Sequence, residues 1–230
     1  MTSPFRIGFL LFPNITQLDL TGPHEVLSKL PGAKVHLIWK NLEPVKAVGG
    51  MMIVPDTTLT DCPQLDLICV PGGPGMTDLM VDDDGLGFLR KQAAGARYVT
   101  SVCTGSLVLG AAGLLQGKRA ATHWMLMEVL PTLGAIPVSE RVVQDGNIIT
   151  GGGVTAGIDF GLKVAAEVAG EEVAKSIQLQ IEYDPQPPFN SGHPRSADPA
   201  LVEKLKKLAE PMQAERRKNA ETAAAKLKEI

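Results

Sequence analysis

Cysteine is scarce in this chain of 230 residues, and the three that occur, Cys62, Cys69 and Cys103, form no Cys-x-x-Cys pair. An odd number of cysteines without such spacing argues against a disulfide framework. An excess of positive charge is also missing, because the formal net charge is −3 and the basic residues are dispersed until the C-terminal tail. A phosphate backbone would find no basic stripe to bind. We therefore expect a cytoplasmic protein that binds no nucleic acid.

Long apolar runs and cofactor-binding signatures are absent too. No stretch of the sequence is long and apolar enough to span a bilayer, and the first residues lack the basic and apolar regions of a targeting leader. No cluster of histidine, cysteine and carboxylate has metal-ligand spacing. The glycines at 151–153 lack the later acidic partner of a dinucleotide fingerprint. The sequence thus predicts no membrane association, no metal and no nucleotide cofactor.

The chain does contain a regular alternation of strand and helix patterns. Apolar, strand-like runs alternate with helical spacing through the first half of the chain: strands at 6–12, 33–40, 65–70 and 96–100, helices at 19–30, 76–94 and 107–115. The second helical region is interrupted near residues 82–85. Asp145-Gly146 predicts a hairpin turn, and Gly49-Gly50 predicts a hairpin or a bulged excursion. This alternation predicts an α/β fold with a mostly parallel sheet covered by helices on both faces.

The second half of the chain predicts a C-terminal extension. Helical patterns at 155–167 and 171–181 are followed by a proline-rich loop at 184–194. The tail at 201–230, rich in alanine, lysine and glutamate, predicts two helices separated at Pro211. We expect one α/β domain over residues 1–195 and a helical extension over 196–230 that packs on the domain or on a partner subunit.

Cys103 is the candidate nucleophile, because it lies between a β-branched run and a helix rich in glycine, alanine and leucine. A strand-to-helix turn projects such a side chain above the end of the sheet. Backbone N–H groups at the start of the helix would stabilise a developing negative charge there. Cys62 and Cys69 lie in or beside apolar strands, where packing is the expected role.

Three further positions supply what a cysteine nucleophile needs, namely a proton carrier and hydrogen-bond donors. Asp19 follows the first strand and would reach the carboxyl edge of the sheet, although a helix N-cap is the alternative role. Gly72 and Gly73 would let backbone N–H groups approach a substrate closely, or only form a turn. Thr104 carries an amide at the helix start and a hydroxyl near the sulfur, and capping is its alternative role.

Histidine is the usual partner of a catalytic cysteine, but the four histidines offer weak candidates. His24 and His36 fall in a predicted helix and strand, where structural roles are more common, and His193 lies in the proline-rich loop. His123 could approach Cys103. No His-x-Asp or His-x-Glu pair orients any of them as a catalytic triad requires. Asp19 is therefore preferred as the proton carrier.

Several short motifs follow one another along most of the chain up to about residue 195. They are 11–13 (LFP), 17–23 (QLDLTGP), 100–106 (TSVCTGS), 113–115 (GLL), 121–124 (ATHW), 150–159 (TGGGVTAGID) and 183–189 (YDPQPPF). Together they resemble the PfpI-type, class I glutamine amidotransferase-like superfamily, and within it the isocyanide hydratase family. The resemblance implies a flavodoxin-like three-layer sandwich, a homodimer, and a hydro-lyase that converts isocyanides to N-substituted formamides without a cofactor.

The resemblance also implies roles for individual residues. Cys103 matches the family nucleophile, Asp19 its acid/base carboxylate and Thr104 the residue beside the sulfur. Gly72 and Gly73 match amide donors to the substrate. Gly152 and Val154 match the segment that flanks the nucleophile helix, where the family often has isoleucine at the second position.

Two other function classes remain open at the level of sequence. A ligand-sensing domain of the arabinose-regulator type resembles this fold, but such regulators append a helix-turn-helix domain of about a hundred residues, and only a short tail remains after residue 195. A glyoxalase or deglycase of the superfamily usually has glutamate where Asp19 stands and often a histidine after the cysteine. This sequence has neither feature.

Overall fold

A central seven-stranded sheet organises the molecule, which is described over residues 4–229 by a computed structural model. The strands are β1 (Phe5–Leu10), β2 (Ala33–Trp39), β3 (Val45–Lys46), β4 (Met52–Ile53), β5 (Thr57–Thr58), β6 (Leu67–Val70), β7 (Tyr98–Val102), β8 (Arg119–Ala120), β9 (Ile136–Pro137), β10 (Val142–Asp145) and β11 (Ile148–Gly151). The main sheet has the order β10-β11-β7-β6-β1-β2-β5, and every pair in it is parallel except β10–β11. The predicted mostly parallel sheet is confirmed.

Helices cover both faces of this sheet. They are α1 (Gln17–Leu27), α2 (Met76–Leu79), α3 (Asp83–Ala93), α4 (Gly105–Ala111), α5 (Ala156–Ala169), α6 (Glu171–Gln180) and α7 (Pro199–Leu227), with a 3₁₀ segment at Trp124–Leu133. Helices α1, α5 and α6 pack together as one layer, whereas α2, α3, α7 and the 3₁₀ segment pack around α4 as the other. The result is the predicted three-layer α/β sandwich of flavodoxin-like type.

Local turn chemistry sets several of the element boundaries. Asp82 caps α3 by accepting a hydrogen bond from the Asp84 N–H at 3.2 Å, which explains the predicted interruption between α2 and α3. Gly146 has φ +64° and closes the β10–β11 hairpin, and Gly49 and Gly50 have positive φ between β3 and β4. The structure thus confirms the predicted turns. Glycine suits these positions because it tolerates a left-handed φ.

The prediction of two helices in the tail is wrong, since α7 continues through Pro211 as one helix of 29 residues. Proline has no N–H to donate to the carbonyl four residues earlier in the helix. Because this side of α7 is exposed, water can bind that carbonyl instead. Buried side chains after the proline hold the second half of the helix against the domain. Asp198 caps the first half by accepting from the N–H groups of residues 200 and 201. The boundary at 195/196 stays a prediction, and its outer limits, residues 1 and 230, lie outside the described range.

Candidate active site

The candidate residues meet at the carboxyl edge of the parallel sheet. Cys103 directly follows β7, Gly72 follows β6, and Asp19 lies in the first turn of α1, which follows β1. These three strands are neighbours in the sheet, and parallel strands end on the same side. Residues far apart in sequence are thereby brought to one place.

Cys103 occupies a strained turn that the surrounding backbone holds in place. Its φ is +56°, in the left-handed region that non-glycine residues seldom adopt. Its N–H donates to the carbonyls of Gly151 at 3.0 Å and Gly152 at 2.9 Å, and its carbonyl accepts from the hydroxyl of Thr122 at 3.1 Å. A side chain at Gly105 would collide with the Val70 carbonyl, so glycine lets α4 begin this close to β6. The Cα–Cβ bond of Cys103 is therefore fixed in direction as well as in position.

Asp19 is fully buried beside this thiol, with 0% of its surface exposed. Its Oδ2 accepts a hydrogen bond from the Gly72 N–H at 3.2 Å. Burial raises the pKa of Asp19 from 3.8 to about 7, and hydrogen bonds from the Cys103 thiol and the Gly72 amide limit the rise. Oδ1 is buried and makes no hydrogen bond of ordinary geometry within residues 4–229. A carboxyl group in this state can give or take a proton near neutral pH.

The Cys103 sulfur experiences opposing influences. Burial is the largest, and together with the negative charge of Asp19 it raises the pKa of the thiol. The backbone N–H groups of Thr104 and Val154 donate to the sulfur and lower that pKa. The thiol and the Asp19 carboxyl thus form a coupled pair in which one proton can reside on either group.

Gly72 and Gly73 donate hydrogen bonds inside the protein. The Gly72 N–H binds Asp19, and the Gly73 N–H donates to the Thr104 hydroxyl at 3.0 Å. A Cβ at Gly72 would lie 2.7 Å from Asp19 Oδ2 and 2.6 Å from the Thr104 nitrogen. These glycines therefore let the Asp19 loop and the Thr104 turn approach each other, and their role as amide donors to a substrate stays a prediction.

A cavity of about 400 Å³ adjoins the site. Its wall contains Gly152 and Val154, and the Val154 N–H faces the Cys103 sulfur, which is itself 4% exposed. Trp124 and Met127 of the 3₁₀ segment supply apolar surface to the same cavity. Loop residues complete the lining: Ser139, Glu140, Arg141, Gly192, His193 and Arg195. This space suits a small organic molecule, and Val154 connects it with the Cys103 sulfur, which is not itself part of the lining.

His123 also lines the cavity, but its imidazole ring is uncharged at neutral pH and so is not a cationic acid. Burial lowers its pKa to about 4, and the positive charge of Arg216 adds to that effect. Its Nδ1 accepts from the Met125 N–H at 3.4 Å. The other histidines are placed elsewhere: His24 stacks near Phe9, His36 contacts the Thr57 hydroxyl at 3.0 Å, and His193 accepts from the Arg195 N–H.

Sequence reasoning missed the contribution of the tail to this region. Gln213 and Arg216 of α7 are both buried, although the charged composition of the tail indicated a solvated face. The only signal is the spacing of the buried positions 213, 216, 220 and 223, which lie on one side of a helix. Small alanines at the last two of these positions allow close approach to the domain.

Two absences complete the description of residues 4–229. No group of three or more histidine, cysteine, aspartate or glutamate side chains is arranged there to hold a metal ion. None of the helices in that range combines the length and apolar character needed to cross a bilayer.

Comparison with known proteins places these observations in a family. The sequence profile of the DJ-1/PfpI family matches residues 5–167. An isonitrile hydratase from Pseudomonas putida is 60% identical over 96% of this chain and 97% of its own length. The crystal structure of a THiJ/PfpI family protein from Pseudomonas syringae matches with a TM-score of 0.91 and 43% identity, over 96% of this chain and 90% of that one.

A transcriptional regulator gives a more partial match. The HTH-type regulator GbdR of Pseudomonas aeruginosa is 31% identical over 79% of this chain, which spans 52% of the regulator's length. The family profile covers the strands, the Cys103 turn and most of α5, and the nearly full-length relatives extend the similarity into α7. On sequence and on structure alike, the chain belongs to the DJ-1/PfpI family.

Proposed function

We propose that this protein is an isocyanide hydratase, a hydro-lyase that forms N-substituted formamides by covalent cysteine catalysis without a cofactor. The observation that carries the proposal is the buried Asp19 carboxyl, with a pKa of about 7, beside the Cys103 thiol and next to a cavity. Similarity at 60% identity to an isonitrile hydratase over nearly the whole chain supports the same activity.

The first half of the reaction uses Asp19 as an acid. The thiol proton moves to the Asp19 carboxylate, and the sulfur lone pair attacks the terminal carbon of the isocyanide. Asp19 then delivers the proton to that carbon, and the product is a thioimidate in which the former isocyanide carbon is bonded to sulfur, hydrogen and nitrogen. The N–H groups of Thr104 and Val154 stabilise the negative charge on sulfur before the bond forms.

The second half uses the same carboxylate as a base. Asp19 removes a proton from a water molecule as the water oxygen adds to the thioimidate carbon, and then passes that proton to the nitrogen. Collapse of the resulting tetrahedral centre breaks the carbon–sulfur bond and releases the formamide, and the hydroxyl proton returns to the Cys103–Asp19 pair. Asp19 can serve both steps because its pKa lies near the working pH.

The alternatives are less well supported. The chain spans about half the length of the matched GbdR regulator, whereas it spans 97% of the matched isonitrile hydratase. A glyoxalase or deglycase of this superfamily usually has glutamate at the position of Asp19 and often histidine directly after the cysteine. This chain has aspartate and threonine at those positions. We also propose that the enzyme acts in the cytoplasm as a homodimer.

The proposal is tested by mixing the purified protein with cyclohexyl isocyanide and with para-substituted phenyl isocyanides and measuring formamide. We expect turnover by the parent protein, no turnover by Cys103→Ala, and a severe loss in Asp19→Asn with the fold intact by circular dichroism. Cys62→Ala is the matched control and should retain the parent rate, because Cys62 lies away from the cavity. Formamide production by Cys103→Ala, or turnover of glyoxals in place of isocyanides, would refute the proposal.

A further inference from the structure

Helix α7 crosses the domain beside the Cys103 turn and is fixed there at two points. The Asn219 side-chain amide donates to the Thr77 carbonyl of α2 at 2.8 Å. Toward the other end of the helix, the Gln213 amide lies 3.7 Å from the Met125 sulfur in the 3₁₀ segment. Arg216 lies between these two anchors, and the helix also packs on α4, which begins immediately after the nucleophile turn.

Arg216 is a buried cation without an acidic partner in the described part of the chain. It is 5% exposed, and the hydrogen bond that its guanidinium makes there runs from Nη1 to the neutral Gln213 amide oxygen at 3.4 Å. Its Nε is buried and has no partner within residues 4–229. The adjacent Arg217 differs, because it lies nearer the surface and forms ion pairs with Glu128 and Glu210. Burying an unpaired charge is unfavourable, so a compensating negative charge is expected nearby.

The charge of Arg216 interacts with groups at the candidate active site. Burial lowers the pKa of Arg216, while the Cys103 sulfur and the exposed Glu215 carboxylate oppose that shift, the sulfur more strongly. Arg216 in turn lowers the pKa of His123 on the cavity wall. Helix α7 packs on α4, which follows the Cys103 turn, and on the 3₁₀ segment, and this packing together with these influences places the charge near both the sulfur and the cavity.

We propose that Arg216 is a positioning residue that acts through Cys103: its buried positive charge stabilises the thiolate and so favours transfer of the shared proton to Asp19. The proposal rests on the proposed function of Cys103 as nucleophile. Two distributions of that proton compete, a thiol beside a carboxylate and a thiolate beside a carboxylic acid. The first step of isocyanide hydration requires the second distribution, with a nucleophilic sulfur and a carboxyl group that can protonate the carbon.

Charged and titratable groups from each neighbouring element contribute to this balance. Asp19 of α1 disfavours the thiolate whenever it is ionised, and His123 before the 3₁₀ segment is neutral at pH 7. The amides of Thr104 and Val154 favour the thiolate but carry no full charge. Arg216 of α7 supplies the full positive charge, in a buried setting where water screens it little.

The proposal is tested on the full-length protein in a Cys62→Ala background. This background removes the one partly exposed cysteine of residues 4–229, which would otherwise compete with Cys103 for iodoacetamide. Alkylation of Cys103 is followed by peptide mass spectrometry between pH 5 and pH 10. We expect Arg216→Met to move the alkylation profile at least about one pH unit upward, with at least about a tenfold slower reaction at pH 7. Arg216→Lys should restore most of the rate, because it keeps the charge.

Arg217→Met is the matched control, since it makes the same change one residue along the helix at a surface ion pair. Its profile should overlie that of the parent. Unchanged alkylation in Arg216→Met overturns the proposal, and so does an equal shift in Arg217→Met. Arg216→Gln gives the same comparison if the methionine variant does not fold. Alkylation requires no isocyanide, so a failure of the hydration assay leaves this result interpretable.

Discussion

Asp19 acquires its acid/base character mainly from burial. The sheet edge, Gly72 and the Cys103 turn exclude water from the carboxyl group, and this loss of solvation raises its pKa to about 7. Gly72 is essential to the arrangement because any Cβ there would overlap both Asp19 and Thr104. Because glycine has no side chain, position 72 leaves room for the Asp19 carboxyl and the Thr104 turn to approach each other.

The raised pKa predicts a specific pH dependence of stability. Between the unfolded value of 3.8 and the folded value of about 7, the unfolded chain has lost the Asp19 proton while the folded protein retains it, so the free energy of unfolding falls as pH rises. The gap corresponds to about 4 kcal/mol. Asp19→Asn removes this dependence, and its stability relative to the parent should increase by up to about that amount between pH 4 and pH 8.

Urea unfolding at a series of pH values measures this effect. Asp184→Asn is the control, because that carboxyl is exposed in the folded protein and its replacement should leave the parent's pH dependence in place. Parallel curves for Asp19→Asn and the parent would show that the Asp19 carboxyl titrates alike in the folded and unfolded states.

At the scale of elements, α7 shows how tertiary packing can override a local breaker. Pro211 removes one backbone donor and would end an isolated helix, but the buried face that follows it keeps the chain helical. The anchors at Thr77 and Met125 belong to segments more than eighty residues earlier in the chain. The only mark of such packing in the local sequence of the tail is the spacing of positions 213, 216, 220 and 223.

Pro211→Ala should therefore stabilise the protein. Alanine restores the missing N–H to the helix and removes the clash of the ring, and the difference between these residues in a helix interior is up to about 3 kcal/mol. We expect a higher melting temperature by differential scanning calorimetry. Ala214→Pro, at an exposed position one turn further on, is the matched reverse change and should lower it. A lower melting temperature in Pro211→Ala would mean that the proline is required by the packed helix.

The extent to which sequence predicted the structure follows the same division between local and distant interactions. The strands, the first helices and the glycine turns follow from periodicity and backbone preference, and Cys103 with Asp19 follows from their place after strands. Arg216 could not be predicted in this way, because its burial depends on how α7 lies against α2 and the 3₁₀ segment. The pKa of Asp19 likewise depends on water exclusion by several elements together.

At the scale of the whole molecule, an apolar surface near β3 and β4 supports the proposed homodimer. Five of the twelve exposed large apolar side chains in residues 4–229 lie there: Leu42, Val48, Met51, Met52 and Val54. This hairpin is tied to the loop before α1, since the Val48 N–H donates to the Ile15 carbonyl at 2.9 Å and the Asn14 N–H donates to the Lys46 carbonyl at 2.8 Å. A second copy of the chain would cover surface that is otherwise unfavourable in water.

Replacing Met52 and Val54 together by aspartate should convert a dimer to a monomer. The two charges would be buried without partners if the interface formed, which is strongly unfavourable. Light scattering coupled to size-exclusion chromatography should give half the mass of the parent. Leu179→Asp is the control, because Leu179 is 83% exposed in α6, away from this hairpin. A monomeric parent, or a dimeric double variant, contradicts this interface.

Apart from Gly152 and Val154, much of the cavity wall comes from parts of the fold that do not hold the reactive pair. Trp124 and Met127 come from the 3₁₀ segment and His193 from the proline-rich loop, whereas Asp19 and Cys103 are held by the ends of the sheet strands. An engineer could therefore randomise the wall in a library while the reactive pair keeps its geometry. Selection for bulkier or more polar isocyanides would then reshape the pocket without rebuilding the chemistry.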